Sequence, residues 1–348
     1  MPVYDRVRGE EHVVFSNLGR AYTFYGRLEL RIHEHFRDSV VYLYPDQIDA
    51  DLGQKVGASG FLVGYPSEVF PDTEFTYLVT NDHVYKNCRA IRINRTDGST
   101  EVIEIPEKEW FPDPSGNDIA ICPIGLAADH KAECIPVETF ITQEVIERAN
   151  LGCGDHVFMI GRFVGHDGTE YNNPSVRFGN ISMMPGEPIL QERRKHPQES
   201  FIVEGHSISG YSGSPVFVYV QKADPRPNQK PIPEELWQGQ VFFRLLGMDW
   251  GHIPTRWTAA VDENGLKNPG GWGFKINSGM MGVVPAWQIL ALLEHPHFTM
   301  QRKIDSRELR KLKEHAGELD IELSGREKPF TKADFETALK KVSRKQKH

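Results

Sequence analysis

Twelve apolar runs of strand length, each closed by turn residues, leave this chain few ways to fold. Six lie at 39–44, 59–64, 75–80, 90–94, 100–105 and 119–124, and six more at 156–161, 176–184, 200–204, 215–220, 241–249 and 272–276. β-branched and aromatic residues fill these runs, and Gly, Pro and Asn punctuate them, which is the pattern of strands. A helix-like connection at 142–150 separates the two sets. Antiparallel strands lose their exposed edges by closing into barrels. Six plus six therefore predicts an all-β protein of two six-stranded antiparallel barrels. The 31 glycines and 23 prolines among 348 residues suit so many turns.

The expected organisation follows from that tally. Residues 1–36 are polar and mixed and read as an N-terminal extension with one helix. The first barrel spans 37–141, and the second spans 142–300 together with a packing helix at 285–294, where Ala286, Ile289, Leu290 and Leu293 share one face. Two longer connections, 185–199 and the Pro-rich 221–240, read as surface loops. Residues 301–348 form a charged helical tail. There Thr331-Lys332-Ala333-Asp334 reads as a capping box, followed by a stripe of Phe335, Ala338, Leu339 and Val342. Such a tail serves either as a docking helix or as a site for a protein partner.

Charge narrows the function classes. The tail carries fourteen Lys/Arg against nine Asp/Glu, whereas residues 1–300 carry 26 against 39, so the net charge of −8 hides a strongly acidic body. An acidic body disfavours a nucleic-acid groove. No run reaches the roughly 20 apolar residues of a membrane span. The opening MPVYDRVRGEEHVVF has no apolar stretch of the kind a secretory leader needs. Cys88, Cys122, Cys134 and Cys153 are widely spaced, with no CxxC pair. These features together predict a cytoplasmic protein with free thiols, no membrane contact and no metal or other cofactor.

Three short motifs carry chemistry. The first is Ser207-Ile208-Ser209-Gly210-Tyr211-Ser212-Gly213-Ser214-Pro215-Val216-Phe217. A serine hydroxyl becomes a nucleophile once a base takes its proton and donors hold the oxyanion that forms. Small residues around Ser212 allow a sharp turn and a close approach of a substrate carbonyl to the N–H groups of Gly210 and Ser212. Taken alone, the segment is equally an ordinary Gly/Ser turn before a strand. The second motif is Tyr77-Leu78-Val79-Thr80-Asn81-Asp82-His83-Val84, an apolar strand ending in a histidine. A lone histidine is most often structural. The third is Asn117-Asp118-Ile119-Ala120-Ile121-Cys122, in which an aspartate enters a wholly apolar strand. A charge there needs a partner, and the His83 imidazole is the obvious one, although an aspartate opening a strand also fits a plain turn.

Taken together, in the order His, Asp, Ser, these motifs resemble the trypsin-like serine peptidase superfamily. The strand-end histidine and Asn-Asp-Ile-Ala-Ile look most like the bacterial heat-shock proteases, and Gly-Tyr-Ser-Gly-Ser-Pro-Val-Phe is closer to the glutamyl endopeptidases. The resemblance covers roughly 37–294 and is weak between the motifs. It implies a chymotrypsin-like pair of barrels with the site between them, and a serine endopeptidase acting on polypeptide. Ser212 would be the nucleophile, His83 the base and then the acid, Asp118 the group orienting His83, and the N–H groups of Gly210 and Ser212 the oxyanion hole. Gly247-Met248-Asp249-Trp250-Gly251 matches the strand that holds an extended substrate in such enzymes. Asp249 departs from the small residue usual there, and supports the triad, favours a basic substrate group or sits as a rim aspartate. His206, Trp250, Gly251 and Trp272 would border the primary pocket. Without an acidic floor, that pocket favours small or medium uncharged side chains, or an acidic one if His206 is protonated. No PDZ-like module follows the motifs.

The resemblance also bears on control. Tyr211 stands where secreted relatives keep an aspartate that pairs with a newly cut N-terminus. It carries no charge near neutral pH, so the oxyanion hole should not depend on N-terminal processing. An esterase on the same triad and a catalytically silent binding module are the competing readings.

Overall fold

The computed structural model describes residues 3–7, 10–17, 20–24, 32–54, 57–70, 73–166, 168–192, 194–205, 207–222, 230–239, 241–258 and 273–323. Two compact units divide the chain, Met1–Glu294 and His295–His348.

In the first unit, β1 (Val3–Val7), β2 (Glu10–Asn17) and β3 (Arg20–Phe24) form a three-stranded antiparallel sheet. Strands here were not expected from the sequence. Their apolar residues are interleaved with too many charges to stand out as runs. A short helix, α1 (Glu34–Asp38), then presents Phe36 edge-on to Phe158 and Phe217, with ring centroids 5.6 and 5.1 Å apart. This end of the extension thereby packs on the second lobe.

The first lobe contains β4 (Val40–Tyr44), helix α2 (Gln47–Leu52), β5 (Ala58–Pro66), β6 (Glu74–Thr80) and helix α3 (Asp82–Tyr85). After them come β7 (Ala90–Asn94), β8 (Thr100–Glu104), β9 (Phe111–Pro112), β10 (Ala120–Pro123) and β11 (Ile135–Pro136). The strands form one sheet in the order β8-β7-β4-β5-β6-β10-β9, with β11 added in parallel to β5. Val41, Leu43, Leu62, Leu78, Ile91 and Trp110 fill its core. Eight strands replace the six expected, because two-residue strands such as β9 and β11 leave no run to read. Closure of this sheet into a barrel is not seen among the described residues, so the expectation of two closed barrels is met by one.

That one is the second lobe. After helix α4 (Gln143–Ala149), β12 (His156–Gly161) and β13 (Ser175–Met183) lead to a small hairpin, β14 (Ile189–Gln191) and β15 (His196–Gln198). Then follow β16 (Phe201–Glu204), β17 (Pro215–Gln221), β18 (Val241–Thr258) and β19 (Gly273–Pro285). The closed barrel runs β12-β13-β16-β19-β18-β17. Val157, Phe158, Ile160, Val203, Phe217, Leu245 and Val283 are all buried. β18 continues nine residues beyond the predicted end, with register shifts at Asp249/Gly251 and His252/Pro254. Helix α5 (Ala286–Leu293) buries Ala286, Ile289, Leu292 and Leu293, close to the expected face. Of the 221–240 connection, the described residues 230–239 include a short 3-10 turn at Glu234–Leu236.

The second unit, as far as it is described, is one helix, α6 (Pro296–Leu323). The predicted capping box at 331–334 and the stripe after it lie outside the described residues. No described helix is long and apolar enough to cross a membrane. The four cysteines are free.

Candidate active site

Strand pairing brings the first two motifs together. β10 lies antiparallel to β6, with Ala120 opposite Thr80. Asp118 precedes Ala120 by two residues, and His83 follows Thr80 by three. Both therefore occupy the same end of the β6–β10 pair. There the Asp118 carboxylate takes the His83 ring, Nδ1 to Oδ2 at 2.8 Å, and the His83 backbone N–H, which donates to Oδ1 at 3.1 Å. With Asp118 ionised, Nδ1 must carry the proton, which leaves Nε2 as the basic nitrogen. Asp118 is 1% exposed. Burial opposes its ionisation, but the hydrogen bond and charge of His83, with Arg194 beside it, more than offset burial and hold the carboxyl below its usual range.

The serine arrives from the other lobe. Gly210 and Gly213 adopt φ of +96° and +85°, a backbone that side-chain-bearing residues avoid. A Cβ on Gly213 would also fall 1.9 Å from the Ser59 carbonyl oxygen. Ser59 of β5 is the seat of this turn. Its N–H donates to Ser212 O at 3.0 Å, and its Oγ donates to Gly210 O at 2.9 Å. The same Oγ accepts Arg162 N at 2.9 Å, while the Ser59 carbonyl takes Thr80 Oγ1 at 2.8 Å. The turn bearing Ser212 is thus fixed to β5 and to the end of β6, three residues before His83. Ser212 itself is half-buried. Among the described residues, no acceptor takes the N–H groups of Gly210 or Ser212, and Ser212 Oγ makes no hydrogen bond to His83. Catalytic hydrogen bonds commonly tighten only when substrate binds.

Tyr211 anchors the same turn from within. It is fully buried, its hydroxyl accepts from Arg177 Nε at 2.7 Å and bonds Ser175, and the guanidinium lies 4.8 Å over its ring. At this position, where the sequence predicts no charge, the side chain is a buried phenol.

The hairpin β14–β15 is the part that sequence reading missed. The connection at 185–199 was expected to be a surface loop, yet it covers the back of the acid. Gln191 Nε2 donates to Asp118 Oδ2 at 3.2 Å, and Gln198 Oε1 takes the Asp118 N–H at 2.8 Å. Arg194 reaches Asp118 Oδ1 at 3.6 Å, Asp82 Oδ2 at 3.1 Å and Gly116 O at 3.0 Å. The sequence carried no signal for this, since Gln191, Arg194 and Gln198 in a charged connection read as ordinary surface residues.

The remaining predicted residues divide. Gly251 is beside the serine, where an added Cβ would lie 4.0 Å from Ser212 Oγ. Asp249 is fully buried, so it is not a rim residue. Trp250 is half-buried, its indole packed over Gly282 and donating to Ser200 Oγ at 3.0 Å. His206 and Trp272 lie outside the described residues. No group of three His, Cys, Asp or Glu among the described residues is placed to hold a metal. Burial pushes the thiols of Cys88, Cys122 and Cys134 up to about 12, which removes them as nucleophiles.

No family model and no curated protein matches this chain. Solved structures similar to it include the following two. One is the apo crystal structure of the MamO protease domain from Magnetospirillum magneticum, with TM-score 0.44 and 14% identity, covering 76% of this chain and 100% of that one. Another is the HtrA-type protease AlgW with a tripeptide, with TM-score 0.39 and 16% identity, covering 75% of this chain and 62% of that one.

Proposed function

We propose that the chain is a serine endopeptidase that hydrolyses peptide bonds through an acyl-enzyme at Ser212. The observation that carries this reading is the 2.8 Å bond between His83 Nδ1 and the buried Asp118, made at the strand end where Ser59 seats the Ser212 turn. In the reaction, His83 Nε2 takes the Ser212 proton as Oγ attacks the scissile carbonyl. The N–H groups of Gly210 and Ser212 hold the oxyanion. The imidazolium, steadied by Asp118, then returns its proton to the leaving amine, and water completes the second half by the same route. The β18 edge near Gly251 offers backbone groups for an extended peptide.

Labelling with a fluorophosphonate, followed by peptide turnover, tests the reading. Wild type should label at Ser212 and cleave peptides. Ser212→Ala and His83→Ala should fold and lose turnover by on the order of 10⁴ or more. Unchanged cleavage by Ser212→Ala would refute the assignment, and ester turnover without peptide turnover would point to an esterase instead.

A further inference from the structure

We propose that Asp249 is a positioning residue whose ionised carboxylate clamps the loop carrying the nucleophile to the strand edge where substrate lies. The inference rests on the peptidase reading and goes beyond it, because the triad chemistry makes no use of this residue. Asp249 is fully buried at the start of the β18 bulge. Its Oδ2 accepts the Ser207 hydroxyl at 2.6 Å, at the head of the turn that ends in Ser212. Its Oδ1 accepts the Gly251 N–H at 2.8 Å, one position along from the bulged Trp250. Its main chain completes the clamp. The Gly213 N–H donates to Asp249 O and the Asp249 N–H donates to Ser214 O, each at 2.9 Å. One residue therefore holds the serine turn at both ends and sets where Gly251 stands beside Ser212 Oγ.

Both side-chain bonds are donated to the carboxylate, so protonation removes their charge assistance and forces the Ser207 hydroxyl to reverse from donor to acceptor to keep its contact. Burial, the dominant influence, pushes this carboxyl up to about 6, against the pull of the Ser207 and Gly251 bonds. Of the titratable groups, His83 favours its ionised form and Asp118 opposes it. The facing residue on β19, Val283, adds no charge. The clamp is thus set to weaken in mild acid, as Asp249 takes a proton.

The test is the rate of fluorophosphonate labelling at Ser212 as a function of pH, for wild type, Asp249→Asn and Ser207→Ala. Wild type should lose rate on an acid limb to which Asp249 contributes a proton, and Asp249→Asn should lack that contribution and show a plateau lowered roughly 10-fold or more, as expected when a reacting group is left about 1 Å out of place. Ser207→Ala removes a bond that favours the ionised carboxylate, so its acid limb should move to higher pH. This second variant decides the matter if Asp249→Asn does not fold. Labelled wild type with the same limb in every folded variant would overturn the role given to Asp249 alone. Wild type that no phosphonate labels at any pH would overturn the peptidase reading, and the Asp249 role with it.

Discussion

The guanidinium of Arg194 lies against the carboxylate of Asp118, its Nε 3.6 Å from Oδ1, while the other end of the same group holds Asp82 at 3.1 Å. A cation is thereby placed behind the acid that faces His83. It steadies the charge of Asp118, and it also reduces what Asp118 can offer an imidazolium. Arg194→Gln should therefore move the acid limb of activity to higher pH, because Asp118 then faces His83 without an opposing cation. Arg194→Lys should restore most of the original profile. A pH–rate profile for the three proteins checks this, and coincident limbs for wild type and Arg194→Gln would reject it.

Ser59 should matter more than its size suggests. Ser59→Ala leaves Gly210 O and Arg162 N without the hydroxyl that serves both. Losing a buried hydrogen bond to the Gly210 carbonyl costs about 1–3 kcal/mol. The variant should unfold at lower urea and label more slowly with a phosphonate, since the Gly210 peptide loses its seat. Wild-type stability together with a wild-type labelling rate would show that the turn is held by other contacts.

Asp249 makes a signed prediction about stability. Its carboxyl is raised from an ordinary 3.8 to about 6 in the folded chain. A raised carboxyl contributes stability below the unfolded value and loses it as pH climbs through the folded one. Wild type should thus lose up to about 3 kcal/mol between pH 4 and pH 7 from this group alone. Asp249→Asn carries no such charge, so its stability relative to wild type should rise across that window even as its activity falls. Urea midpoints at the two ends of the window measure the difference. A gap that does not change with pH would mean that the carboxylate is not paying this cost.

Activity should require no cut upstream of the first lobe. Tyr211 is held by Arg177 Nε at 2.7 Å and by Ser175, so the residue before the nucleophile is already fixed in the intact chain. Mass spectrometry of a fully active preparation should find the N-terminus whole. Turnover that appears only after cleavage before residue 39 would assign residues 1–36 to a propeptide.

The strands with long apolar runs, the order of the three motifs and the pairing of Asp118 with His83 were legible in the residues themselves. They could be read because burial of β-branched runs and the cost of an unpaired charge in an apolar strand are local constraints. The strands β9 and β11 and the N-terminal sheet were not legible, since short or charge-laden strands are defined by partners far away in sequence. The same holds for Gln191, Arg194 and Gln198, which look like surface residues until β14 and β15 fold back over Asp118. Asp249 is the sharpest case. Its sequence neighbours allowed a rim residue, a substrate contact or a support. Only the closing of β17, β18 and β19 into a barrel removed it from water and set it between Ser207 and Gly251. Desolvation and hydrogen-bond geometry depend on what surrounds a group in space, and the tertiary structure alone decides that.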